Sequence, residues 1–82
     1  MVSLNTINPG EKCKIISISA YPALKRRLKD LGFVKNATVT CLYKSFSGDP
    51  TAYRIKGSVI ALRNADAKKI IVNTPEGKDY EE

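Results

Sequence analysis

The sequence predicts a mainly β fold: a small, partly open barrel of five short strands with one α-helix inserted after the first strand. Three observations lead there. Short runs rich in β-branched residues recur along the chain, separated by Gly, Pro, Asn and Asp. Only one stretch, opening at Pro22, spaces its apolar residues as a helix does. The segment from Gly48 to Arg63 writes a loop, a strand, a tight Gly turn and a second strand in 16 residues. A flat sheet of five such strands would leave its edges bare, which closure into a barrel avoids.

Asn8-Pro9-Gly10 is the first turn signal, and residues 12–19 after it read as the first strand. Tyr21, Leu24, Leu28 and Leu31 then recur at spacings of three, four and three, a single helical stripe expected to face the core. Lys25, Arg26, Lys29 and Asp30 fall mostly off that stripe, so the outer face is basic. Pro22 is harmless in a first turn, where its missing N–H has no partner to lose, and Gly32 ends the helix in the left-handed conformation. Val34-Lys35-Asn36-Ala37 makes a turn, with Asn36 its left-handed residue. The second strand covers residues 38–44, with Val39, Cys41 and Tyr43 on its apolar face. A loop over 45–50 leads to the third strand at 52–55, Gly57 turns the chain, and the fourth strand runs over 58–62. Residues 64–68 read as one helical turn capped by Asn64, followed by the fifth strand at 69–73. Residues 1–74 are thus one domain, and the Pro, Gly and acids of 75–82 an acidic, disordered tail. With its helix after strand one, the barrel fits the SH3-like class best; an OB-fold is the second arrangement, but its helix usually lies between strands three and four.

Composition restricts function. The longest aliphatic run, Val59-Ile60-Ala61-Leu62, is far short of the roughly 20 residues that cross a bilayer, and the N-terminus lacks a signal-peptide pattern, so a cytoplasmic protein is expected. No His is present, and the carboxylates before the tail, Glu11, Asp30, Asp49 and Asp66, are scattered singly. That argues against an enzyme and against a resident metal. Gly48 and Gly57 stand alone rather than in a phosphate-cradling loop, so no nucleotide or other cofactor is expected. Cys13 and Cys41, 28 residues apart, read as reduced, buried strand residues. Residues 1–72 hold 13 Lys and Arg against 4 acids, a balance of +9, whereas 73–82 hold one Lys against four acids, −3. A basic body of this kind attracts an acidic protein face, nucleic acid or anionic lipid, although such charge also serves plain solubility.

Several of these pieces resemble the ferrous iron transport protein A (FeoA) family. Leu4-Asn5-Thr6-Ile7-Asn8-Pro9-Gly10-Glu11 resembles its opening Leu and Pro-Gly turn. Arg27-Leu28-Lys29-Asp30-Leu31-Gly32 resembles its Arg-Leu-x-x-Leu-Gly helix end, and Gly48-Asp49-Pro50 with Ala61-Leu62-Arg63 its hairpin. Lys35-Asn36 departs from the family's Pro-Gly turn in a way the same backbone accepts. The resemblance spans residues 4–72. It implies an SH3-like barrel acting as a small cytoplasmic accessory subunit of bacterial ferrous iron uptake, bound to a membrane ferrous iron permease with a GTP-binding domain and drawn by it to the inner face of the membrane without inserting.

On that reading the candidate partner-binding residues are Lys25, Arg26 and Lys29 on the outer helix face. A second set lies around the long hairpin: Phe46, Asp49 and Tyr53, where an SH3-like aromatic groove would form. The plainer reading is a solvated helix face, turn-forming Asp49-Pro50 and half-buried strand aromatics. A small basic barrel binding nucleic acid is the alternative function; the basic residues sit on the helix instead of interleaving with strand aromatics, and the acidic tail repels phosphate. A metal sensor built on Cys13 or Cys41 has the least support, and self-association stays open.

Overall fold

The structure, a computed structural model, describes residues 1–74; the tail expected over 75–82 lies outside them. Its elements are β1 (Val2–Ser3), a 3-10 turn (Leu4–Thr6), β2 (Lys12–Ile18), α1 (Pro22–Asp30), β3 (Thr38–Lys44), β4 (Thr51–Ile55), β5 (Ser58–Leu62), α2 (Asn64–Ala67) and β6 (Ile70–Val72). The strands are antiparallel neighbours in the order β1-β6-β2-β3-β4-β5. There are six strands where the sequence predicts five. The additional one is β1, which pairs Val2 with Val72 and Ser3 with Ile71. Two residues carry no readable alternation, and this strand exists only because the far end of the chain lies beside it.

β2 joins the two halves of the barrel. Its first residues, Lys12 to Lys14, pair with β3, while Ile15, Ser17 and Ile18 pair with β6. The register shifts between Ile15 and Ser17, so Ile16 is the extra residue of a bulge that bends the strand from one half to the other. At the other hairpin, Lys56 and Gly57 both have positive φ, 51° and 79°, the pair of values that a two-residue turn between right-twisted strands requires. Tyr53, Phe33, Leu28, Ile55, Ile70 and Val72 are fully buried at the centre.

α1 follows the predicted start and stop. Pro22 sits in its first turn, and Gly32, at φ +110°, reverses the chain after Leu31. The Gly32 N–H donates to the Lys29 carbonyl and the Phe33 N–H to the Leu28 carbonyl, both at 3.0 Å, so the last helical carbonyls are satisfied and Phe33 is folded back onto Leu28. A Cβ on Gly32 would lie 3.1 Å from Lys56 Cγ, which adds close packing to the backbone demand.

Three local expectations are corrected. Only Leu24 and Leu28 of the four-residue stripe are buried; Tyr21 is 65% and Leu31 37% exposed, because they are the two cap residues of a nine-residue helix and lie beyond the part that touches the barrel. Tyr43 is exposed although Val39 and Cys41 are buried, since a register shift between Cys41 and Tyr43 breaks the alternation. Asn64 does not cap α2. Arg63 holds the N-cap position without a side-chain bond, and the capping acceptor comes from elsewhere in the chain: Asp49 Oδ1 accepts the Asn64 N–H at 2.9 Å.

Candidate functional site

A groove of about 290 Å³ runs between β2 and α1, lined by Ile15 to Ile18, Lys25, Lys29, Phe33, Val34 and Lys35. Each wall has a local cause. The bulge at Ile16 leaves that side chain half-buried at the surface instead of in the ladder. Lys25 and Lys29, four residues apart, share one face of α1 and stand on the groove side, held there by Leu24 and Leu28 underneath. The left-handed Asn36, at φ 73°, donates its N–H to the Ile15 carbonyl at 2.8 Å and thereby fixes Val34 and Lys35 along the rim. The outcome is a groove of mixed polarity whose apolar floor is the half-buried Ile16 and Val34, with three ammonium groups around it. None of the three side chains has a hydrogen bond or ion pair among the described residues.

The predicted site residues separate. Lys25 and Lys29 line this groove, and with Arg26, Pro22 and Asp30 they also line a shallower depression on the outer side of α1. Arg27 is engaged within the molecule, its Nη2 lying 3.3 Å from Asp66 Oδ2 of α2; at 66% exposure of Arg27 the pair contributes little stability but occupies the guanidinium. Phe46, Asp49 and Tyr53 do not line the groove. Phe46 is fully exposed at the β3–β4 loop. Asp49 ties that loop to α2, helped by the Asn64 Nδ2 bond to the Gly48 carbonyl and the Ser47 Oγ bond to the Asp49 carbonyl. Tyr53 is fully buried between β3 and β5, pairing with Cys41 and Ile60, so it offers no ring to a peptide or a base. Its burial places it with Thr51 and Ile55 on the inner face of β4, which the period of two along that strand implies. The residues that sequence reasoning missed are Lys35 and the half-buried floor residues Ile16 and Val34, with Phe33 fully buried beneath them. Asn36 marked the turn, but its hydrogen bond to Ile15, which holds the turn on β2, could not be read from the sequence.

Among the described residues no group of three or more Cys, Asp or Glu could hold a metal ion, and no helix is long and apolar enough to cross a membrane. Cys13 and Cys41 are free and buried. Burial, then the Glu11 carboxylate and Cys41, pushes the Cys13 thiol up to about 11; burial likewise raises Cys41, partly offset by Lys44. Both are therefore protonated and inert near neutral pH. With a thiol-reactive reagent at pH 8 we expect labelling of Cys13 in the native protein to be about 100-fold slower than in denaturant, because only about one Cys13 thiol in a thousand is ionised at a pKa of 11. Comparable rates in the two states would show an accessible, activated thiol.

The sequence model of the FeoA domain matches residues 2–74. A Campylobacter jejuni protein described as a putative Fe(2+) transport protein A is 32% identical over 72 residues, covering 88% of this chain and 97% of the relative. A Porphyromonas gingivalis Fe(2+) transport protein A/Fe(2+) transporter FeoB fusion protein is 30% identical over 69 residues, 84% of this chain but only 8% of that much longer one. Among solved structures, FeoA of Stenotrophomonas maltophilia, an SH3 domain protein crystallised with zinc, superposes with a TM-score of 0.80 at 28% identity, over 89% of this chain and 91% of that one. The antiparallel barrel, the helix after its first long strand and a match over nearly all of the described residues agree: the chain belongs to the FeoA family.

Proposed function

We propose that this chain is an accessory protein of ferrous iron uptake that acts by binding a Fe(2+) transporter on its cytoplasmic side, with the β2–α1 groove as the docking surface. The observation that carries this reading is the groove itself: an apolar floor ringed by Lys25, Lys29 and Lys35, none of them paired within the described residues. An acidic segment with one apolar side chain fits that chemistry, gaining long-range attraction from the lysines and burial from the floor. Arg26 on the outer helix face extends the field. The Porphyromonas gingivalis fusion supports the choice of partner, since joining two proteins in one chain raises the effective concentration of one for the other. The partner in this reading is the permease with its GTP-binding domain, and the chain reaches the membrane through it. The protein itself holds neither iron nor nucleotide and contributes recognition instead of chemistry.

The test is the double charge reversal Lys25→Glu, Lys29→Glu, measured against the cytoplasmic domain of the transporter. We expect the association rate at low salt to fall at least about tenfold and its salt dependence to flatten, with the unfolding transition unchanged because both residues are exposed. An unchanged rate and salt response would remove the groove from the interface and leave Phe46, on the β3–β4 loop, as the surface to examine.

A further inference from the structure

The register of the β3–β4–β5 sheet decides what its outer face carries. Cys41 and Tyr53 are paired and buried, so Ala52, one residue along, points the other way with its partners Tyr43 and Ala61, and Arg54 does so with its partner Val59. Tyr43 is 61% and Val59 55% exposed, and Ala61 is exposed beside them. Apolar side chains are thus gathered on the solvent side of the sheet, where an antiparallel strand usually carries polar ones.

Phe46 extends this patch at one end. It is fully exposed, yet its loop is held: the Gly48 N–H donates to the Ser45 carbonyl at 2.8 Å, the Ser45 N–H to the Pro50 carbonyl at 3.0 Å, and the Asn64 N–H to Asp49 Oδ1 at 2.9 Å. The ring is therefore presented with little loop ordering left to lose on binding. The charge of the face has one sign. β3, β4 and β5 contain no Asp or Glu, whereas Lys44, Arg54, Lys56 and Arg63 are exposed on them or at their ends. Arg63, extended at φ −67° and ψ 147°, continues the alternation of β5 to the outer side. The carboxylate of the joining loop, Asp49, is engaged with Asn64. The outside of a barrel is convex, so this face encloses no single side chain; it suits a surface that is anionic, apolar beneath its charges and soft enough to receive a protruding ring.

We propose that the outer face of β3–β5 rests on an anionic phospholipid bilayer, with Phe46 and Tyr43 among the headgroups and Arg54, Arg63 and Lys44 on the lipid phosphates. The contact is peripheral, as no helix among the described residues is long and apolar enough to cross. This face shares no residue with the β2–α1 groove, so one chain can hold lipid and a groove partner together. The lipid contact does not rest on the docking role proposed above.

The chain contains no Trp, so Phe46→Trp places a single fluorescent reporter in the loop, at a position exposed enough to leave the fold unchanged. We expect its emission to shift to the blue on vesicles of phosphatidylcholine with about 30% phosphatidylglycerol at about 50 mM salt, to return at about 500 mM, and to stay unshifted on phosphatidylcholine alone. Phe46→Ser should weaken vesicle binding about fivefold. The double reversal Arg54→Glu, Arg63→Glu should weaken it at least about 100-fold, each charge at the surface being worth about fivefold. Lys25→Glu, Lys29→Glu alters the net charge equally from another face and should cost less than about tenfold. Equal losses for the two charge pairs, or an indole that keeps its emission in water while the chain is vesicle-bound, would overturn the proposal, as would the absence of binding. A shift produced by the transporter's cytoplasmic domain and not by the vesicles would assign the face to a protein and overturn it equally. The vesicles contain no protein, so this result and that of the groove stand or fall separately.

Discussion

Shortening Leu28 to Ala is expected to remove about 2–4 kcal/mol of stability, seen as a lower denaturant midpoint at unchanged slope. Leu28 is fully buried, and Phe33 is folded against it by the chain reversal at Gly32, so the shortened side chain leaves a cavity that the helix end cannot collapse to fill. Leu31→Ala makes the control. It removes the same atoms from a residue already 37% exposed, and a loss below about 1 kcal/mol is expected. A domain of this size has a total stability of only about 5–15 kcal/mol, so the Leu28 change is a substantial fraction of it. It should reach the docking surface as well, because Leu24 and Leu28 are the buried residues that hold Lys25 and Lys29 over the groove. If Leu28→Ala costs under about 0.5 kcal/mol, α1 is not packed as described.

The second large effect is alkaline. The Cys13 thiol is raised from 9.0 to about 11 and the Tyr53 hydroxyl from 10.0 to about 12, burial being the largest cause in both; the ionised neighbours Glu11 and Cys41 add to the first, and Cys41 to the second. In the unfolded chain each group gives up its proton first, so the unfolded state gains free energy from ionisation that the folded state is denied. The contribution of Cys13 is therefore present in full below pH 9.0 and is lost as pH rises to about 11, and that of Tyr53 is lost between 10.0 and about 12. At about 1.4 kcal/mol per pH unit, each group costs the folded state roughly 2–3 kcal/mol by the top of its window. Denaturant melts between pH 8 and 11 should show stability falling from pH 9 upward. Cys13→Ala should lose less across that interval than the parent chain, a comparison that isolates the thiol. A parent and variant that fall in parallel would mean that Cys13 ionises as easily folded as unfolded.

Much of the architecture was legible because single residues dictate it. Gly32 and Asn36 are where the backbone takes positive φ, and Pro22 is where the helix starts, all as the residue types require. The alternation along 38–44 and the Gly57 turn before 58–62 located two strands to the residue. What escaped depends on contacts between distant segments. Helical spacing placed Tyr21 and Leu31 on the same stripe as Leu24 and Leu28, but how much of a stripe is covered depends on how far the barrel extends under it. Asn64 has the chemistry of a cap and begins α2, yet Asp49, fifteen residues earlier, supplies the acceptor. The candidate surface was half legible for the same reason. Lys25 and Lys29 could be read as outward from helical spacing alone, whereas Lys35 joins them through the hydrogen bonds of Asn36 and Ala37 to Ile15 of β2. Tyr53 was misplaced by counting aromatics along the hairpin, when its own strand's alternation already aligned it with Ile55.

The pairing of β1 with β6 also sets the order in which the molecule can assemble. Val2 and Val72 are partners, so this ladder closes almost the whole described chain into one loop, and closing a long loop costs entropy before any contact repays it. The 3-10 turn Leu4–Thr6 packs on α2 and β6, which means that Leu4, fully buried in the finished barrel, has no cover until the last strand arrives. On a ribosome Leu4 is thus made long before the strand that covers it. Until β6 emerges, that edge of β2 stays open, and the time the nascent chain spends in that state is set by the synthesis of the residues between β2 and β6.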